Sequence, residues 1–190
     1  MNLPAYRSRQ RFTWSDYCTW SEGERWELID GEAFAMAPAP TTNHQAIVGR
    51  LYSRLEHKLS GKPCQPFVAP VDVRLSEDDV VQPDVLVICQ PDKIKPGHIE
   101  GAPELVFEVL SPSTAARDMR DKKALYERCG VGEYIVVDPL EHYAIRYLLG
   151  ADGLYDKGAV FGSNETLVVQ TLNELPIALW EVFGLRESPA

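Results

Sequence analysis

Apolar and polar positions repeat along this chain in two periods, and the change from one to the other marks out its elements. Between residues 43 and 60, Ile47, Val48, Leu51, Leu55 and Leu59 recur at three- and four-residue intervals, and Gly61 follows. That spacing predicts a helix with one apolar face, ended by the glycine. Shorter apolar runs bounded by turn residues predict strands at 65–75 (QPFVAPVDVRL), 84–89 (DVLVIC), 104–110 (ELVFEVL), 133–138, 142–149 and 165–170. RWELIDGEAFAM predicts an N-terminal hairpin, with strands at Trp26–Ile29 and onward to Met36 around an Asp30-Gly31 turn. Thr13 to Cys18 predicts a short helix capped by Thr13 or Ser15, and LPIALWEVFG a short helix near the C-terminus. Residues 114–129 predict a second long helix closed by Gly130.

Helix, strands, helix, strands in that order predict a mixed α/β domain, with helices covering a central sheet. The chain of 190 residues is expected to form one domain, 1–190, with its core at about 24–150 and a C-terminal strand and short helix at 160–184. Composition fits a soluble globular protein: 45% hydrophobic and 25% charged residues. No apolar run approaches the ~20 residues of a membrane helix, and MNLPAYRSRQRF lacks the apolar segment of a secretory signal. Cys18, Cys64, Cys89 and Cys129 are widely spaced, without a C-x-x-C pair. That spacing argues against a zinc site and for reduced, mostly buried thiols in a cytoplasmic protein. A net charge of −9 weighs against a passive nucleic-acid scaffold. It leaves room for an enzyme that meets phosphate through a bound cation.

Charge in apolar surroundings is the informative departure. On a helix advancing about 100° per residue, Ala115, Met119, Leu125, Tyr126 and Cys129 share one arc, and Lys122 falls within it with Asp118 close by. A lysine facing a core needs a partner; otherwise it snorkels along the apolar face to solvent. Two strands each carry one acid, Asp84 before VLVIC and Glu108 within ELVFEVL. If the strands are neighbours, both acids converge on one cation. Two carboxylates, a strand carbonyl (Val109) and waters suit Mg2+ or Mn2+. Taken singly, Asp84 also reads as a strand-start residue after Pro83, and Glu108 as a residue on a solvated sheet face. Ser111, Ser113 and Thr114 lead into the second helix and are expected to cap it, with phosphate contact the lesser role.

These residues carry a family resemblance. WELIDGE (26–32), NHQ (43–45), VQPDV (81–85), GAPELVFEVLSPST (101–114) and DMRDKKALYERCGVGEYIVVDP (118–139) resemble the Uma2 family of restriction-endonuclease-like proteins, within the PD-(D/E)xK superfamily. The resemblance covers most of the chain. It implies a restriction-endonuclease-like mixed β-sheet flanked by helices. It also implies metal-dependent hydrolysis of phosphodiester bonds, with nucleic acid (DNA) as partner and a homodimer as assembly. Asp84 and Glu108 then match the acidic pair. Leu110 stands where the motif lysine is expected, and Lys122 on the next helix takes its place. Candidate auxiliary positions are Glu32 (otherwise an exposed hairpin residue), His44 (otherwise a helix-start or packing residue), Gln82, Ser111, Ser113, Asp118 and Tyr126 (otherwise core packing). Arg7, Arg9, Arg11, Arg50, Arg54 and Lys58 could touch phosphates or lie on solvated faces. Two other readings compete: a binding or regulatory module with little or no catalysis on a nuclease fold, and a carboxylate-pair hydrolase such as a glycosidase.

Overall fold

The computed structural model describes residues 10–20, 25–36 and 40–186; Arg7 and Arg9 lie outside them. The N-terminal helix α1 (Trp14–Tyr17) carries a capping box, in which Thr13 and Asp16 satisfy each other's backbone N–H groups. Strands β1 (Trp26–Ile29) and β2 (Glu32–Ala35) form the hairpin. Asp30 and Gly31 take φ values of 56° and 70°, the double left-handed turn that a two-residue hairpin requires. Helix α2 (Thr42–Leu59) follows, with Thr41 accepting from the His44 N–H.

Next come β3 (Gln65–Val68), β4 (Asp72–Arg74), β5 (Val80–Val81), β6 (Val85–Ile88), β7 (Ile94–Lys95), β8 (His98–Glu100) and β9 (Leu105–Val109). The single strand expected at 65–75 is two, divided at the cis Ala69-Pro70 peptide and serving different sheets. Residues 115–129 form the second long helix in three parts: α3 (Ala115–Arg117), a π-helical turn (Asp118–Lys122) and α4 (Lys123–Cys129). The sequence pattern predicts a regular α-helix there. The Asp118 carbonyl instead accepts from the Lys123 N–H and from the Tyr134 hydroxyl at 3.0 Å. A side chain joining the backbone ladder accompanies the widened turn. Gly130, at φ 83°, closes the helix.

Strands β10 (Glu133–Asp138), β11 (Tyr143–Leu148), β12 (Ala159–Gly162), β13 (Thr166–Val169) and β14 (Leu175–Ala178) and helix α5 (Leu179–Phe183) complete the chain. The C-terminal segment read as one helix is therefore half strand. β14 pairs with β13, and the helix begins only at Leu179.

Two six-stranded sheets result, in the orders β2-β1-β5-β4-β8-β7 and β12-β11-β10-β9-β6-β3. β9 and β10 run parallel, linked through the 115–129 helix; β6 is antiparallel to β9. The second sheet is covered on both faces. Val85, Val87, Leu105, Phe107 and Val109 face α2 through Ile47, Val48, Leu51, Leu55 and Leu59. Leu86, Ile88, Val106, Tyr134 and Val136 face Leu125 and Tyr126. Burying each such side chain stabilises by about 1.5–3 kcal/mol. The alternation puts Glu108, between Phe107 and Val109, on the face of the 115–129 helix.

Cys64 and Cys89 form a disulfide beside the β3–β6 pair, correcting the expectation of four reduced thiols. Cys18 is exposed and Cys129 half-buried, so the two free thiols are not in the core. Among the described residues no helix is long and apolar enough to cross a membrane.

Candidate active site

Register brings the two acids together. β6 and β9 pair Val85 with Phe107, and one step further along the same register Asp84 stands opposite Glu108. Cross-strand partners share a face, and two like charges there repel unless something compensates. Lys122 supplies the compensation. Its Nζ lies 2.9 Å from Glu108 Oε1 and 2.8 Å from Glu27 Oε1, with Asp118 Oδ1 at 3.8 Å. Tyr126 donates its hydroxyl to Glu108 Oε1 at 2.8 Å. Lys122, Glu108, Glu27 and Asp118 are at most 4% exposed. Lys122 is therefore the paired lysine and does not snorkel, and Glu108 does not face solvent.

Burial is the strongest influence on Glu108, Asp118 and Lys122. It raises the Glu108 carboxyl well above the ordinary value of 4.5, against the lowering effect of Lys122; the neighbouring acids add to the rise. Asp118 is raised for the same first reason, with Lys122 and Thr114 opposing. Burial works against the Lys122 ammonium, yet Glu108, Glu27 and Asp118 together hold it well above 10.5.

Asp84 Oδ2 accepts from the Val109 N–H at 2.8 Å and lies 3.3 Å from His44 Nε2. Burial disfavours the His44 imidazolium, but Asp84, the Val109 backbone and Asp118 together more than offset it, leaving the group raised above 6.5. His44 Nδ1 is buried with no partner among the described residues. These groups open on a cavity of about 310 Å³. Asp84, Glu108, Val109, Lys122 and Asp118 line it, as do His44, Gln82, Ser111 and Ser113. Tyr126 reaches it only through Glu108.

Glu32 does not line the cavity: it starts β2 on the exposed side of the hairpin. The acid that β1 contributes is Glu27, which also accepts from the Gln82 N–H at 3.1 Å. Strand periodicity reads Glu27 as a solvent-facing position beside Leu28. The only earlier signal for it is its place within WELIDGE. Ser111 Oγ pairs with Ser113 Oγ at 3.1 Å and Thr114 Oγ1 at 2.9 Å. No side chain caps the helix there, against expectation. Gln82 Oε1 instead accepts twice from Arg25, and Gln82 Nε2 reaches Asp72 at 2.7 Å.

The donor set admits a hard cation in a limited sense. Among the described residues no three His, Cys, Asp or Glu side chains form a ready metal cluster. Asp84 and Glu108 each have one carboxylate oxygen engaged by protein donors. The other, Asp84 Oδ1 and Glu108 Oε2, has no donor among the described residues. Two such oxygens beside Val109 suit an ion that keeps several waters.

A family description, "Putative restriction endonuclease" (Uma2), matches residues 14–179. The uncharacterized protein slr1290 of Synechocystis sp. is 34% identical over 114 residues, 58% of this chain and 60% of that protein. The uncharacterized protein sll1609 of the same organism is 29% identical over 128 residues, 63% and 72% of the two chains. The match thus spans less than two thirds of the first relative's length. The crystal structure of a "putative nuclease belonging to DUF820" from Anabaena variabilis superposes with a TM-score of 0.75. It is 19% identical, covering 91% of this chain and 98% of that one, a likeness of fold.

Proposed function

The chain belongs to the Uma2 family, and on that premise we propose that it is a metal-dependent endonuclease hydrolysing phosphodiester bonds of DNA. The observation that carries the reading is the facing pair, Asp84 and Glu108: both line the cavity, each keeps one oxygen without a donor among the described residues, and Lys122 is bonded to Glu108. Asp84, Glu108 and the Val109 carbonyl would hold Mg2+ or Mn2+. Bound there, such an ion supplies Lewis-acid stabilisation of charge on phosphate and acidifies water.

The chain's own groups do the rest. The Val109 N–H and His44 hold Asp84 in place, and Tyr126 and Lys122 hold Glu108. Lys122 stays charged and offsets negative charge gathering on the phosphate as water adds to phosphorus and the bond to the leaving oxygen breaks. Cutting both strands of a duplex with one site per chain calls for two copies, so a homodimer belongs to this reading.

One observation favours a second reading, binding without cleavage. The Lys122 ammonium is already satisfied by Glu27 and Glu108. The test is nicking of supercoiled plasmid and of single-stranded DNA with Mg2+, Mn2+ or EDTA. Wild type is compared with Asp84→Ala and Lys122→Ala. Metal-dependent nicking lost in both variants supports the nuclease. Binding without nicking in any metal favours the module, and nicking that survives both changes removes the site.

A further inference from the structure

We propose that Arg25 and Arg117 form a two-point clamp for backbone phosphates at the mouth of the acidic cavity, a proposal that rests on the nuclease reading and names its substrate contacts. Most of the described arginines of this acidic chain already have a carboxylate beside them. Of the ten among the described residues, six have a carboxylate within ion-pair distance: Arg11, Arg54, Arg74, Arg120, Arg128 and Arg146. Arg50 turns to the Val182 carbonyl at 3.3 Å, and Arg186 is the last described residue. The remaining two, Arg25 and Arg117, both line the cavity that holds Asp84 and Glu108.

Neither has a carboxylate within ion-pair distance among the described residues, and the partner that each does have there is neutral. Arg25 donates from Nε (2.9 Å) and Nη2 (2.6 Å) to Gln82 Oε1. The Arg117 guanidinium lies over the Phe34 ring, 4.4 Å from its centre. An amide oxygen and an aromatic face fix a guanidinium without cancelling its charge. Arg25 is exposed and keeps its Nη1/Nη2 edge clear of Gln82, and Arg117 is half-buried, so both guanidinium groups remain reachable.

The floor and the mouth of the cavity thus differ in sign. The floor carries Glu27, Asp84, Glu108 and Asp118 around one lysine. A bare phosphate is repelled there, and two cationic forks at the rim offset that repulsion. Guanidinium forks match phosphate oxygens in pairs. The charge pattern therefore fits a polyanion lying across the mouth, with one phosphate over the acids and its neighbours on the arginines. Arg50 and Arg54, candidates by sequence, are engaged with α5 instead.

The experiment is fluorescence anisotropy of a labelled DNA duplex, its single strand and an RNA copy, in Ca2+, across a salt series. Wild type is compared with Arg25→Ala, Arg117→Ala, the lysine variants Arg25→Lys and Arg117→Lys, and Arg54→Ala as a distant control. Plasmid nicking by wild type is run in parallel. Each alanine variant is expected to bind about tenfold more weakly. Its slope of log affinity against log salt should be shallower by about 1. The lysine variants should keep the slope and recover part of the affinity, and Arg54→Ala should match wild type. Should an alanine variant melt early, the lysine variant decides, since it must still bind less tightly than wild type. Unchanged affinity and slope in the arginine variants of a protein that nicks would overturn the clamp and leave the nuclease standing. Wild type that neither binds nor cuts any of the three nucleic acids would remove both.

Discussion

Replacing Lys122 by methionine tests the electrostatic account of the site most directly. Methionine keeps the length and apolar stem of the side chain but removes the ammonium from Glu27 Oε1 (2.8 Å) and Glu108 Oε1 (2.9 Å). All three groups are at most 4% exposed, so water cannot take over the lost partner. Breaking a buried pair on one side costs about 3–5 kcal/mol. For a domain of this size each kcal/mol moves Tm by about 2–4 °C. Lys122→Met is therefore expected to melt about 6–20 °C below wild type at neutral pH.

The deficit should depend on pH in a definite direction. Burial already raises Glu108 above 4.5 in the fold, so this group's contribution is full below 4.5 and is lost as pH climbs through the folded value. Removing Lys122 removes the nearby positive charge that lowers that value and pushes it higher. The variant then loses most at neutral pH, and the gap to wild type narrows as pH falls toward 4.5. Adding Glu27→Gln to Lys122→Met should restore part of the loss, because the two sites share one interaction. Thermal melts followed by circular dichroism, at neutral and acid pH, measure all of this. A single variant that melts with wild type at both pH values would refute the buried-pair argument.

Two further outcomes follow from the same geometry. Mg2+ or Mn2+ at a hundred times its dissociation constant should stabilise by about 2.7 kcal/mol, or about 5–11 °C in Tm. Asp84→Asn should abolish that shift in a melt with and without metal, and a shift that persists would move the metal elsewhere. Tyr126→Phe deletes one hydrogen bond to the buried Glu108 carboxylate. It should cost about 1.5–3 kcal/mol in urea unfolding at unchanged m-value; a loss within error of zero would mean the bond is replaced.

Much of this protein was legible in its order of residues, because local periodicity and local chemistry set it. The apolar stripe of α2, the Asp30-Gly31 hairpin and the acids of the two central strands depend on neighbours a few positions away. Lys122 stood out for the same reason, as a charge on an apolar arc. The β2-β1-β5-β4-β8-β7 sheet was not legible, since β5 and β7 have two residues each, and β4 and β8 three, too short for any period. Nor was the C-terminal strand β14, which exists because β13 lies beside it.

The site divides along the same line. Sequence marked Asp84, Glu108 and Lys122 as chemically unusual. Only the β6–β9 register, the parallel crossover to β10 and the π-helical turn at Asp118–Lys122 bring them within contact. Glu27 shows the limit most clearly. On its own strand it occupies a position that alternation assigns to solvent. It is buried where Lys122 and the Gln82 N–H, 95 and 55 residues away in the chain, bond its carboxylate. A strand's pattern records which residues share a face, but what covers that face is decided by chain folded in from elsewhere.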